Sequence, residues 1–185
     1  MMERTNKTSA SAAVVAQLCP HCALCCSGVL FRDVELRPGD DPIRLKTLGL
    51  PLSPKRAAPA GRRTQKFPQP CAALADCDCR IYADRPVRCR EFECALLQSV
   101  SAGETEAVAA LRVIRDTRER AEKVRRLLRQ LGDAEEQVAL SLRFRRMQRR
   151  MEAAPPEDEV AEIFSQLTLA VHDLNLAMRE DFYPG

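Results

Sequence analysis

The sequence predicts a mainly α-helical protein with a small, irregular, cysteine-rich core and a C-terminal helical hairpin or three-helix section. Three observations predict it. Large rings are scarce, with no Trp and only 4% aromatic residues, so the core must be built from Leu, Val, Ala and Met, a composition that favours helices. Three stretches of the second half repeat apolar residues at helical spacing. All nine cysteines fall between Cys19 and Cys94, outside those stretches.

At 185 residues the chain is long enough for one or two domains. Residues 1–17 are rich in Ser, Thr and Ala and read as a loose N-terminal segment. Its Ala/Val run, Ala10 to Ala16, is too short and too weakly hydrophobic for a secretory core. Leu18 is too bulky to precede a lipid-modified cysteine. No later segment approaches the roughly 18 apolar residues of a membrane span. These features predict a cytoplasmic protein with no membrane partner, in a compartment where thiols stay reduced.

Residues 18–98 read as the cysteine-rich unit. After its first cysteines, the run Val29 to Leu36 partly alternates and reads as a short strand, closed by Pro38-Gly39. Pro42 then opens one or two helical turns between Ile43 and Leu50. Residues 51–70, with repeated prolines and the bases Lys55, Arg56, Arg62 and Arg63, read as an extended, exposed basic loop.

Residues 99–185 form the helical region. A first helix over about 104–131 places Ala107, Leu111, Ile114, Ala121, Val124, Leu128 and Leu131 on one stripe, and Gly132 stops it. Asp133 with Glu136 three residues on suggests a capping box for a second helix over about 134–152, its apolar face formed by Val138, Leu142, Met147 and Met151. Pro155-Pro156 ends it. The third helix, over about 157–179, carries Val160, Ile163, Phe164, Leu167, Val171, Leu174 and Met178 in the clearest periodicity of the chain.

The cysteine spacing points to metal. Cys19, Cys22, Cys25 and Cys26 form C-x2-C-x2-C-C, and Cys71, Cys77, Cys79, Cys89 and Cys94 follow after a gap. Thiolates two residues apart can turn back on one ion, whereas cysteines that close rarely bridge each other without strain. Several thiolates at one place repel unless a cation neutralises them. His21 lies inside the first group, but a residue directly before Cys22 points away from an ion that Cys22 holds, and His172 reads as a surface or partly buried position on the third helix.

The second group has a more particular form, Cys79-Arg80-Ile81-Tyr82-Ala83-Asp84-Arg85-Pro86-Val87-Arg88-Cys89-Arg90-Glu91-Phe92-Glu93-Cys94. Over residues 19–94 the chain resembles a bacterial family, the YkgJ-type cysteine-cluster proteins described as zinc- or iron-chelating domains. Their pattern is CxxCxxCC, a cysteine-leucine segment met here by Cys71 and Leu74, and C-x-IY-x-x-RP-x-x-CR-x-F-x-C. The resemblance implies a metal site of Cys19, Cys22, Cys25, Cys26, Cys71, Cys79, Cys89 and Cys94. It implies zinc or iron as the cofactor, the iron as an ion or a 4Fe-4S cluster, because related domains occur in flagellin lysine N-methylases whose cysteine region is thought to hold such a cluster. Two departures stand out. Ala23 occupies a position where the family has glycine, and Cys77 is an additional thiol two residues before Cys79. Cys79 alone has the family's distance to Tyr82.

Residue types suggest supporting roles. Arg85 and Arg90 can bond carbonyls or offset thiolate charge, Pro86 fixes the turn before Cys89, and Tyr82 or Phe92 can shield sulfur from water.

The net charge of +3 gives no ground for a nucleic-acid partner. Residues 104–151 hold 13 Lys and Arg against 8 acids, while 152–185 hold 8 acids against Arg179 alone. Arg143, Arg145, Arg146, Arg149 and Arg150 are therefore expected to face water or the acidic third helix, and the C-terminal helices to offer a surface for a protein partner. No Ser/His/Asp arrangement, P-loop or G-x-G-x-x-G occurs, so enzyme activity would have to come from the metal. The expected function is zinc or iron binding for structure, storage or delivery. The alternatives are an iron-sulfur redox or methyl-transfer component, and an interaction protein that metal merely folds.

Overall fold

The computed structural model describes residues 12–54, 64–154 and 157–183 and is mainly helical. Helix α1, Ala12–Cys22, already includes residues expected to be loose. The earlier part of the expected loose segment lies outside the described residues. A cluster of apolar side chains recruits this helix: Leu18 is buried with Leu24, Val29 and Leu30 among residues of the second half.

Strand β1 spans Asp33–Glu35, shorter than the eight-residue run expected, because Val29 and Leu30 turn into the helical core instead of continuing the ladder. Helix α2, Pro42–Thr47, begins as expected at Pro42, and Asp41 caps it by accepting from the backbone N–H groups of Ile43 and Arg44. Residues 55–63 of the expected basic loop lie outside the described residues. Its two flanks are not loop: β2, Ser53–Pro54, and β3, Gln65–Pro68, belong to a three-stranded antiparallel sheet in the order β1-β3-β2. Phe67 on the central strand is 1% exposed. Its burial among Val34, Leu36, Leu45, Leu50, Ala73 and Ile81 overrides the turn-like composition around it.

A two-stranded hairpin follows, β4 (Leu74–Ala75) and β5 (Asp78–Cys79), turning through Asp76 and Cys77. A single 3₁₀ turn at Tyr82–Asp84 leads to α3, Val87–Glu91, and α4, Ala95–Ser101.

Three longer helices complete the chain. Helix α5, Ala107–Gln130, buries Ala110, Ile114, Thr117, Ala121, Val124, Leu127 and Leu128, the expected stripe, and packs along α7, Asp158–Asp181, and against α1. Between them α6 spans Leu140–Ala153. The expected cap at Asp133 does not form. Its carboxylate instead accepts from the N–H of Glu135 and from Nε of Arg143, 3.0 Å away, while the Asp133 carbonyl accepts from Arg143 Nη2. Residues 134–139 therefore run as a non-helical link, and Arg143, expected to face water or the acidic third helix, is instead buried on α6 at 1% exposure. Among the described residues the ion pairs of α6 run to Asp133 and Glu135, and Phe144 stacks on Phe164 to join α6 to α7. The expected break at Pro155-Pro156 lies outside the described residues. No helix among the described residues is long and apolar enough to cross a membrane.

Two apolar cores result. One spans α1, α4, α5, α6 and α7, and the smaller one lies under the three-stranded sheet.

Candidate metal centre

Helix α1 ends by turning the first cysteines toward the interior. Its last turn carries Cys19 and Cys22, three residues apart and so on neighbouring positions of one face. Ala23 then adopts φ +52, a left-handed conformation that stops the helix, and its carbonyl accepts from the N–H groups of Cys26 and Ser27. This tight reversal sends Cys25 and Cys26 back beside the helix. The position where glycine was expected is thus one whose backbone favours glycine.

The later cysteines arrive from four short elements. Cys71 precedes the β4-β5 hairpin, and its N–H donates to the Cys26 carbonyl at 2.8 Å, tying the two stretches together. Cys79 lies on β5 opposite Leu74, Cys77 sits two residues earlier in the turn, and both line the same cavity. Cys89 is on α3, whose start is fixed by buried Pro86. Cys94 precedes α4.

All nine cysteines are free thiols, and all nine line one cavity of about 1000 Å³. His21 lies elsewhere, exposed, in a shallow hollow with Arg115 and Arg118, and its carbonyl accepts from Arg118 Nη1. His172 is exposed on α7.

Burial raises most of these thiols. It pushes Cys22, Cys26 and Cys89 up to about 12, holds Cys25 well above the ordinary range, and raises Cys19, Cys71 and Cys94. Cys19 is exposed as a residue, yet its sulfur faces the cavity and is raised with the rest. After burial, other cysteines oppose ionisation at most of these thiols. Cys22 is disfavoured by Cys94 and Cys19, and Cys25 chiefly by Cys22, Cys26 and Cys94. Cys26 is disfavoured by Cys71, Cys89, Cys79 and Cys19, and Cys89 by Cys71 and Cys79.

Positive groups pull the other way. Arg85 favours the thiolates of Cys19 and Cys89, Arg118 that of Cys22, and Arg80 that of Cys71. Arg85 is held for this place by stacking 3.7 Å over the Tyr82 ring and by donating to the Tyr82 carbonyl, and Arg80 donates to the Ala72 carbonyl. Arg90 lines the cavity too. Phe92, edge-on to Phe31, covers one wall, whereas Tyr82 is 55% exposed and closes the opening only partly.

Sequence reasoning missed three contributors. Arg118 comes from α5, ninety-odd residues from Cys22, and nothing local marks it. Asp40 approaches Cys89 because its carboxylate accepts from the N–H of Val87. Gln69, 2% exposed, presents on the cavity wall a side-chain carbonyl without a hydrogen-bond donor among the described residues.

The donor set suits a thiophilic cation. Neutral, these sulfurs lie in a site that burial keeps uncharged, and ionised they would repel, so a cation is what would allow them to act as thiolates together. As placed, no group of three or more His, Cys, Asp or Glu side chains among the described residues forms a geometry that holds an ion. Ligation would therefore require the thiols to draw inward across the cavity.

Comparison with family profiles, with curated proteins and with solved structures finds no match.

Proposed function

We propose that this chain is a metal-binding protein that holds zinc or iron through Cys19, Cys22, Cys25, Cys26, Cys71, Cys79, Cys89 and Cys94. One observation carries the proposal: thiols from two distant stretches of chain line a single cavity, joined by the Cys71 to Cys26 backbone bond. The composition of the region supports it. The sheet core has seven buried apolar side chains, and cores of that scale usually need a metal or disulfides to be stable alone. No disulfide is present to take that role.

The resemblance to the YkgJ-type family agrees with this reading, as does the position of Ala23 at a left-handed turn. Free thiols as ligands imply a reducing compartment, the cytoplasm. Arg85, Arg80 and Arg118 would offset the negative charge of the loaded site. Zinc would act by drawing the two stretches together, a structural, storage or delivery role.

Iron-sulfur chemistry is the second reading, and the size of the cavity favours it, because a cluster fills more space than a bare ion. Anaerobic purification without added metal, followed by elemental analysis and an absorption spectrum, tests both. Colourless protein with zinc supports the first reading, and brown protein with acid-labile sulfide supports the second. Metal-free protein that takes up neither zinc nor iron overturns the proposal.

A further inference from the structure

Resting on that reading, we infer that the cavity holds two separate four-thiolate centres, divided between the adjacent residues Cys25 and Cys26: Cys19, Cys22, Cys25 and Cys94 form one, and Cys26, Cys71, Cys79 and Cys89 the other. Cysteine spacing does not by itself assign thiols to centres, and a grouping by sequence order would set the first four cysteines against the later ones.

Packing separates the two sets. Cys22, Cys25 and Cys94 lie against the large helical core, whereas Cys71, Cys79 and Cys89 lie against the core under the sheet. Cys19 joins the first set through α1, one helical turn before Cys22. Cys26 joins the second set through its carbonyl, which accepts from the N–H of Cys71 at 2.8 Å. The reversal at Ala23 explains how neighbours can part: beyond it the chain turns sharply enough for Cys25 to stay with the helix while Cys26 faces the hairpin.

The division gives each centre a mechanical role. The first clasps the end of α1 to the start of α4, and the second clasps the first cysteine stretch to the β4-β5 hairpin and α3. Arg85 lines the same cavity and would offset charge from a thiolate of each centre, Cys19 and Cys89. Cys77, on the cavity side of the hairpin turn, is left outside both sets.

Paired substitutions in the full chain, loaded anaerobically with zinc and weighed by native mass spectrometry, test the division. The unaltered chain should bind about two zinc ions. Cys25→Ala with Cys94→Ala, or Cys26→Ala with Cys71→Ala, should each leave about one, because each pair falls within one centre. Cys25→Ala with Cys26→Ala should leave almost none. The opposite pattern, one ion after the Cys25/Cys26 pair and none after the Cys25/Cys94 pair, overturns the division in favour of sequence order. A single ion in the unaltered chain also overturns it, while no zinc or iron at all removes the underlying function as well. Where a variant fails to fold, alkylation of the unaltered chain during zinc titration decides: Cys25 should become protected together with Cys94, and Cys26 together with Cys71. Joint protection of Cys25 with Cys26, ahead of Cys71 and Cys94, contradicts the inference.

Discussion

The helical half and the cysteine half of this molecule are held by different means. Around α5 and α7 the chain buries a continuous apolar stripe, with Ala110, Ala121, Val124, Leu128 and Leu167 each fully enclosed. Around the sheet, buried apolar side chains are few and half-buried thiols take the places between them. A half built on apolar packing is complete as a polypeptide. A half with so few buried apolar side chains would, on the proposed function, be completed by the metal its thiols bind.

The largest effect should come from removing that partner. Chelation under reducing conditions should lower amide-exchange protection of the sheet, at Phe67 and its neighbours, by about a hundredfold or more, since structural zinc contributes on the order of 10 kcal/mol to small domains. Val124 and Leu128 on α5 should change by less than about tenfold. Equal loss in both halves would dissolve the distinction.

The converse experiment breaks the helical half. Arg143 and Asp133 form a buried ion pair at 3.0 Å, with side chains 1% and 9% exposed. Arg143→Ala leaves the Asp133 carboxylate enclosed without its main partner and should cost about 3–5 kcal/mol in denaturant unfolding. Metal content should stay unchanged. A matching loss of metal would show that the halves are not independent.

Their junction should respond more mildly. Gly28 has φ +74, a Cβ there would meet Ala139 Cα and Pro70 Cδ at 3.1 Å, and its carbonyl accepts from the N–H of Leu140. Gly28→Ala should destabilise the chain by about 1–3 kcal/mol and lower the cooperativity between sheet and helices in thermal unfolding. The smallest effect is a gain. Ala23→Gly relieves a left-handed alanine and should stabilise the chain by about 0.5–1 kcal/mol, with metal stoichiometry unchanged.

The helices are legible in the sequence because their periodicity is local. Ile114, Ala121, Val124 and Leu128 announce a buried face from within one segment, and the structure buries them. The start of α6 was misplaced because Asp133 and Glu136 have the form of a cap, while the structure gives Asp133 to Arg143, ten residues on, and Glu136 to Arg129. Strand β3 was hidden because Phe67 is its one buried apolar residue amid Lys66, Pro68 and Pro70, and its alternation becomes visible only when β1 and β2 lie beside it. For the candidate site, spacing picked out the cysteines but not their neighbours in space. Cys25 packs against the helical core while the backbone of its neighbour Cys26 bonds to Cys71, and Arg118, which acts on Cys22, and Gln69, on the cavity wall, come from places without any cysteine signature.

X-ray absorption at the metal edge of the anaerobically purified chain tests the central claim most directly. Thiolate ligation predicts a first shell of about four sulfurs per metal, at about 2.3 Å for zinc. A shell of nitrogen and oxygen, with the cysteines still open to alkylation, would contradict it.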